Sequence, residues 1–268
     1  MTIMTITSLS NQRVKDAIKL RDHRQRAKQG RFFIDGAREM LQAIGGGVRF
    51  TEIFICEPLC ASSEAQRVFE HSDHLNATIW LVTPEVFEKM AFGNRREGVL
   101  AIAETPRRTI DQLQLPDQAL IAVLEGLEKP GNVGAVIRSA DAAGISAVVV
   151  ANPYTDLYNP NCVRASLGTI FTKAVVQATT ADTIRWLQQR DCKIFAARLD
   201  ATRSYTDVDY RGNVAIVLGS EASGLSPEWP AANTIPIKLP MLGTADSLNV
   251  SATAAVLFYE ALRQRGSA

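Results

Sequence analysis

Ser247, Asn249 and Ser251 alternate with apolar residues in the stretch Ala245-Asp246-Ser247-Leu248-Asn249-Val250-Ser251, which runs straight into an apolar segment over 252–262. That segment reads as a helix, and polar groups that open a buried helix need hydrogen-bond partners. The first turn of a helix also leaves backbone N–H groups free for a ligand. The spacing fits either a plain cap or one wall of a binding site. Two other segments favour the wall.

The first of these is Glu125-Gly126-Leu127-Glu128-Lys129-Pro130-Gly131-Asn132-Val133-Gly134-Ala135-Val136-Ile137-Arg138. An apolar strand over 119–124 enters a Pro-Gly turn, and a helix over 132–143 is predicted to start at once. Small residues at 134, 135, 139 and 140 allow close packing or close approach of a ligand. Asn132 stands at the predicted helix start, where its amide can cap the helix or touch a substrate. Arg138 lies six residues on, about 240° around a helix, so the two converge only if Asn132 lies in the preceding loop. Gly131-Asn132-Val133-Gly134 matches the GXXG loop of a KH module, but that loop joins two helices. The spacing also departs from the dinucleotide fingerprint and from the phosphate loop.

The second is Leu218-Gly219-Ser220-Glu221-Ala222-Ser223-Gly224-Leu225-Ser226, in which two glycines flank a carboxylate just after a buried strand. Ligands of open α/β sheets bind beyond the carboxyl ends of strands. Glu221 can cap, pair with an arginine or contact substrate there. A third segment, Ile235-Pro236-Ile237-Lys238-Leu239-Pro240-Met241-Leu242-Gly243, holds two prolines that cannot donate to a sheet ladder. It reads as a stiff loop exposing backbone groups, or as an edge strand.

These segments need a scaffold. A basic helix over 11–28, capped by Ser10, is followed by strands and helices in alternation: a strand at 31–35, a helix at 37–44, a strand at 51–56, a helix at 62–71, a strand at 78–82, a helix at 84–90 and a strand at 99–103. This is a small α/β domain over 1–106. Residues 107–118 are polar and proline-bounded and read as a linker. Residues 119–268 form a second domain with strands at 119–124, 147–150, 193–197, 214–218 and 234–237, a helix near 182–189 and the apolar C-terminal helix. Strands this apolar, alternating with helices, predict a parallel sheet covered on both faces.

Composition narrows the function. Four scattered cysteines and three histidines confined to the first third complete no metal set, so a metal site is not expected and the thiols read as inert. The chain has no apolar run long enough to span a bilayer and begins without a signal-peptide layout, so a cytoplasmic protein is expected. The net charge of +1 hides an asymmetry: residues 1–38 carry nine Lys or Arg against three Asp, a surplus of six. A basic arm on a near-neutral chain points to a phosphate-rich partner such as nucleic acid, or to a solvated helix face.

Taken together, G-N-V-G-A-x-x-R, L-G-S-E-x-x-G-L and I-K-L-P-M…S-L-N-V-S, in this order, resemble the SpoU/TrmH family of RNA ribose methyltransferases within the SPOUT superfamily. The resemblance covers 119–265. The first hundred residues more weakly resemble the ribosomal-protein-like substrate-binding domain of the family's ribosomal-RNA members. The resemblance implies a C-terminal domain with a deep trefoil knot, a homodimer with the site at the subunit interface, and S-adenosylmethionine as methyl donor. It places the donor on Gly219, Leu239 and Leu248, with Leu218 and Met241 nearby, and close to Ser247. Carried over by motif, Arg138 helps deprotonate the ribose 2′-OH, Asn132 and Asn249 orient the ribose or hold the site, Glu221 anchors the motif loops, and Ser247 touches donor or substrate. A guanidinium is a poor base because its pKa exceeds about 12, so Arg138 is expected to act electrostatically. The implied activity is 2′-O-methylation of RNA, ribosomal RNA first. The alternatives are tRNA methylation within the superfamily and a non-catalytic RNA-binding assembly factor. Arg21, Arg24 and Lys28 are the basic residues expected to hold RNA.

Overall fold

The structure is a computed structural model that describes residues 4–93 and 95–266. Along the chain run β1 (Met4–Ile6), α1 (Gln12–Lys19), α2 (His23–Gln29), β2 (Arg31–Asp35), α3 (Ala37–Gly45), β3 (Phe50–Ile55), α4 (Ser63–Ser72), β4 (Thr78–Val82), α5 (Pro84–Met90) and β5 (Val99–Glu104). Next come β6 (Leu120–Glu125), α6 (Pro130–Ala142), β7 (Ala147–Ala151), α7 (Pro160–Ala165), α8 (Thr169–Thr172), β8 (Val175–Ala178) and α9 (Thr180–Gln188). The chain ends with β9 (Lys193–Ala197), β10 (Val214–Leu218), α10 (Glu228–Ala231), β11 (Ile235–Ile237) and α11 (Val250–Gln264). It divides into two compact units, Met1–Arg107 with Asp156–Thr172, and Arg108–Thr155 with Lys173–Ala268.

The first unit is built on a five-stranded mixed sheet in the order β1-β4-β3-β5-β2, with β5 antiparallel to both of its neighbours. Val14, Leu20, Phe33, Phe54, Trp80, Phe87 and Met90 form a buried core on it. The single helix predicted over 11–28 is two helices. Asn11, not Ser10, caps α1, and Asp22 caps α2 by accepting from Gln25 N at 3.1 Å. Arg21, between them, turns its Nη2 to the carbonyls of Lys89, Met90 and Ala91 at the end of α5. A side-chain cap and an arginine serving a neighbouring helix end together favour a break over one continuous helix.

Residues 156–172 belong to this first unit although they interrupt the second in sequence. Buried Arg26 donates to Asp156 at 2.5 Å, and the rings of Tyr158 and Phe171 pack on Phe32 at 4.6 and 5.7 Å. Proximity in sequence to the second set of strands gave no sign of this allegiance.

The second unit is a six-stranded sheet in the order β11-β9-β10-β6-β7-β8, parallel throughout. β6, β7 and β10 are buried along their whole length, as strands covered on both faces must be. The segment with two prolines resolves in favour of the edge strand, since among the described residues β11 pairs with β9 alone. Residues 108–118, read as a linker, lie in this unit, and Ile110 is part of its core. No helix among the described residues is long and apolar enough to cross a membrane.

Candidate functional site

Three chain turns at the carboxyl ends of β6 and β10 and at the start of α11 build the site, all within the second unit. After β6, Gly126 takes a φ of 62°, which glycine adopts without strain. The chain then reaches Lys129 and Pro130, and proline in the first turn starts α6 without losing a needed N–H. After β10, Gly219 leads into a tight loop in which Ser220 and Gly224 exchange backbone hydrogen bonds at 3.1 and 3.0 Å. A Cβ on Gly219 would collide with the Gly224 backbone, so the loop closes only with glycine there. At α11, Asn249 is the cap: its Oδ1 accepts from Ser251 N at 2.9 Å and Ser251 Oγ at 2.7 Å.

These turns meet at one carboxylate. Glu221 Oε1 accepts from Asn132 Nδ2 at 2.8 Å and from Asn249 Nδ2 at 2.9 Å, while Oε2 accepts from Lys129 Nζ at 2.6 Å. Asn249 Nδ2 also leans toward Asn132 Oδ1 at 3.4 Å. The Lys129 ammonium holds the Glu221 carboxyl below the usual carboxylate range, helped by Asn132 and by the Val250 N–H at the start of α11. The same pairing raises the Lys129 amine. A carboxylate so occupied stays ionised and fixes both asparagine amides. Of the partners expected for Glu221, an arginine is not the one found: the cation is Lys129.

Beside this cluster lies a cleft of about 700 Å³. Its walls include Leu218, Gly219, Leu239, Met241, Ser247 and Leu248, so the structure brings together all five residues expected to hold a donor, with Ser247. Glu221 also lines it. The volume and the mainly apolar wall suit a small ligand with a few polar handles.

Two placements differ from expectation. Asn132 is inside α6, whose cap is Lys129, so it does not cap the helix. Arg138, exposed on the same helix, is therefore about 240° around from it. The Arg138 side chain makes no hydrogen bond or ion pair among the described residues and so takes no part in the Asn132–Glu221–Asn249 cluster. Two groups escaped the sequence reading. Lys129 was visible only as a residue before proline. Glu125, 4% exposed at the end of β6, accepts Thr180 Oγ1 at 2.6 Å and Ser226 Oγ and N at 2.8 Å each. A carboxylate ending an otherwise apolar strand was the available signal, because such a group must be fully hydrogen-bonded to be buried.

With that geometry in place, residues 119–259 match the SpoU rRNA Methylase family, and residues 11–101 match the MRM3-like substrate binding domain. A 23S rRNA (guanosine-2'-O-)-methyltransferase of Bordetella pertussis is 32% identical over 207 residues, 75% of this chain and 84% of that protein. The chain spans 60 to 97% of the lengths of the curated relatives it matches. A solved RNA 2'-O ribose methyltransferase is similar with a TM-score of 0.85 and 39% identity, over 98% of this chain and 99% of that one. An AdoMet-bound rRNA methyltransferase from Sinorhizobium meliloti gives a TM-score of 0.87 and 26% identity, over 97% and 98%.

Proposed function

Because this chain belongs to the SpoU rRNA Methylase family, we propose that it methylates a ribose 2′-OH of ribosomal RNA, with S-adenosylmethionine as donor. The observation that carries the reading is the convergence of Asn132 and Asn249 on Glu221 at the edge of the cleft. The donor fits that cleft: Leu218, Leu239, Met241 and Leu248 offer apolar wall, and Gly219 offers backbone unscreened by a side chain. S-adenosylmethionine, when bound, supplies an electrophilic methyl group. The chain's own residues must then orient the ribose and manage the charge left as the 2′-oxygen loses its proton. Asn132 and Asn249, fixed by Glu221, orient the ribose, and Ser247 on the cleft wall contacts donor or ribose. Arg138 stabilises the developing negative charge or an adjacent phosphate rather than acting as base.

Arg138 reaches the reaction from a second copy of the chain. α11 presents Ala252, Val256 and Tyr259 to solvent at helical spacing, an apolar stripe on a helix packed against α6. A homodimer through this face covers the stripe and carries Arg138 toward the partner's cleft. The trefoil knot is part of the same reading, and the position of β11 outside β9 with the return of α11 to α6 supports it. The first unit serves as the RNA-binding domain, through cations left free of internal partners. Its site of action is the cytoplasm.

The test is methyl transfer from labelled S-adenosylmethionine to 23S rRNA, with the product mapped by mass spectrometry. Arg138→Ala is expected to lose turnover about 10²–10³-fold while keeping donor affinity. Normal turnover by that variant would remove Arg138 from the mechanism, and absence of transfer by the wild-type protein would remove the function.

A further inference from the structure

The carboxyl ends of β6 and β7 carry a feature that the donor cleft does not use. Tyr154, shortly after β7, is 75% exposed. Its ring packs over Gly126, with Cε2 3.3 Å from where a Cβ would stand. A large aromatic side chain left in water forgoes the burial energy its area could supply. Its hydroxyl makes no hydrogen bond among the described residues.

The loop that presents the ring is braced from below. Asn152 sits at a φ of 43°, donates to Thr180 Oγ1 at 2.8 Å and accepts from Thr180 N at 3.2 Å. Thr180 Oγ1 in turn donates to buried Glu125, the residue before Gly126. One network, buried at Glu125 and Thr180 and reaching the surface at Asn152, therefore fixes both the seat of the ring and the backbone two residues before it. Gly126 is three residues from Lys129, which bonds Glu221. Three residues span at most about 11 Å, the rise of about three stacked bases. A rigid, open aromatic face thus stands within a few bases' reach of the cluster that would orient the ribose.

We propose that Tyr154 is a stacking platform for an unpaired RNA base flanking the methylated nucleotide. The proposal rests on the RNA reading above. Every base offers a π-face, and recognition of single-stranded RNA uses aromatic rings in this way. The seat on a bare glycine backbone leaves the rest of the ring free, and the brace lowers the entropy lost when a base stacks on it.

The test compares full-length wild type, Tyr154→Ala and Tyr154→Phe on a 23S rRNA transcript. Tyr154→Ala is expected to raise the KM for RNA about tenfold, with kcat and S-adenosylmethionine affinity unchanged, and Tyr154→Phe to behave as wild type. An unchanged KM in the alanine variant would overturn the platform. So would a shift of that variant's sedimentation toward a smaller species, which would make the ring an interface between copies. If the wild-type protein binds the transcript without methylating it, the function fails alone. Fluorescence anisotropy of the three proteins with RNA still tests the stacking.

Discussion

Each unit has its own hub of charge, and the two are built in opposite ways. In the second unit the hub is a carboxylate, Glu221, whose side chain is 34% exposed and which gathers donors from Lys129, Asn132 and Asn249. In the first, the hubs are arginines. Arg26, 3% exposed, spends its guanidinium on Asp156 and the carbonyls of Leu20 and Arg21. Arg21 serves three carbonyls, and Arg95 holds Glu39 through two bonds at 2.7 and 3.0 Å. The Glu221 hub fixes polar groups that stay open at the edge of a cleft. The arginine hubs turn inward and hold chain ends together, although Arg21 Nε and Arg26 Nη2 find no hydrogen-bond partner among the described residues. Similar chemistry thus makes a site where it stays open, and scaffold where it does not.

The largest effect that separates the two kinds of hub is on folding. Arg26→Ala leaves Asp156 and two carbonyls without their donor in a buried place. Breaking such a pair costs about 3–5 kcal/mol. Urea unfolding is expected to show that loss, and a shift below about 1 kcal/mol would make Arg26 a surface charge in all but position.

The next is pH-dependent. Burial raises the Asp35 carboxyl from 3.8 to about 6, against the opposing effects of the Phe92 N–H, which it accepts at 2.6 Å, and of the Arg95 guanidinium. The folded state therefore holds this proton more tightly than the unfolded chain does. The stabilisation is complete below the unfolded pKa of 3.8 and is lost as pH rises through about 6. Asp35→Asn, which keeps an acceptor for Phe92, is expected to stabilise the protein at pH 8 by up to about 3 kcal/mol and to match wild type near pH 4. Equal effects at both pH values would show that Asp35 does not titrate in this range.

At the open hub the expected loss is in rate rather than stability. Glu221→Ala frees both asparagine amides and Lys129, all near solvent, so thermal unfolding should barely move. Turnover should fall about 10²-fold, as expected for loss of orientation. A variant that unfolds but, while folded, turns over normally would move Glu221 into the scaffold class with Arg26.

The same contrast explains what could be read in the chain. The α/β alternation, the parallel second sheet and most element bounds follow from apolar periodicity and Pro or Gly punctuation, which are local. The meeting of Asn132, Glu221 and Asn249 was expected from the family resemblance of three motifs, since the spacing alone left each of them open as a cap or turn residue. What could not be read depends on distant partners. The break at Leu20-Arg21-Asp22 needs the end of α5, 68 to 70 residues away. The placement of residues 156–172 needs Arg26, 130 residues away. The position of Asn132 inside α6 follows from a start at Pro130, two residues earlier than its glycine-rich sequence suggested.

Charge counting pointed to a partner without separating the cations that could meet it from those already paired, and there the comparison yields its smallest and most discriminating prediction. Of the nine cations in residues 1–38, Arg13, Lys19, Arg26 and Arg31 are in ion pairs and Arg21 is spent on carbonyls. Lys15, Arg24, Lys28 and Arg38 are exposed, and their side chains have no ion pair or hydrogen bond among the described residues. Arg24 and Lys28, four apart on α2, share one face. If these are the RNA contacts, reversing both to Glu should lower the slope of log affinity against log salt by about 1.4, the release expected for two phosphates of a single strand. Arg21→Ala, grouped with them by sequence, should instead leave the slope alone and lower stability, because the carbonyls at the end of α5 lose their donor. A slope that falls in the Arg21→Ala variant as well would mean that Arg21 leaves α5 when RNA binds, and that this hub opens onto the RNA.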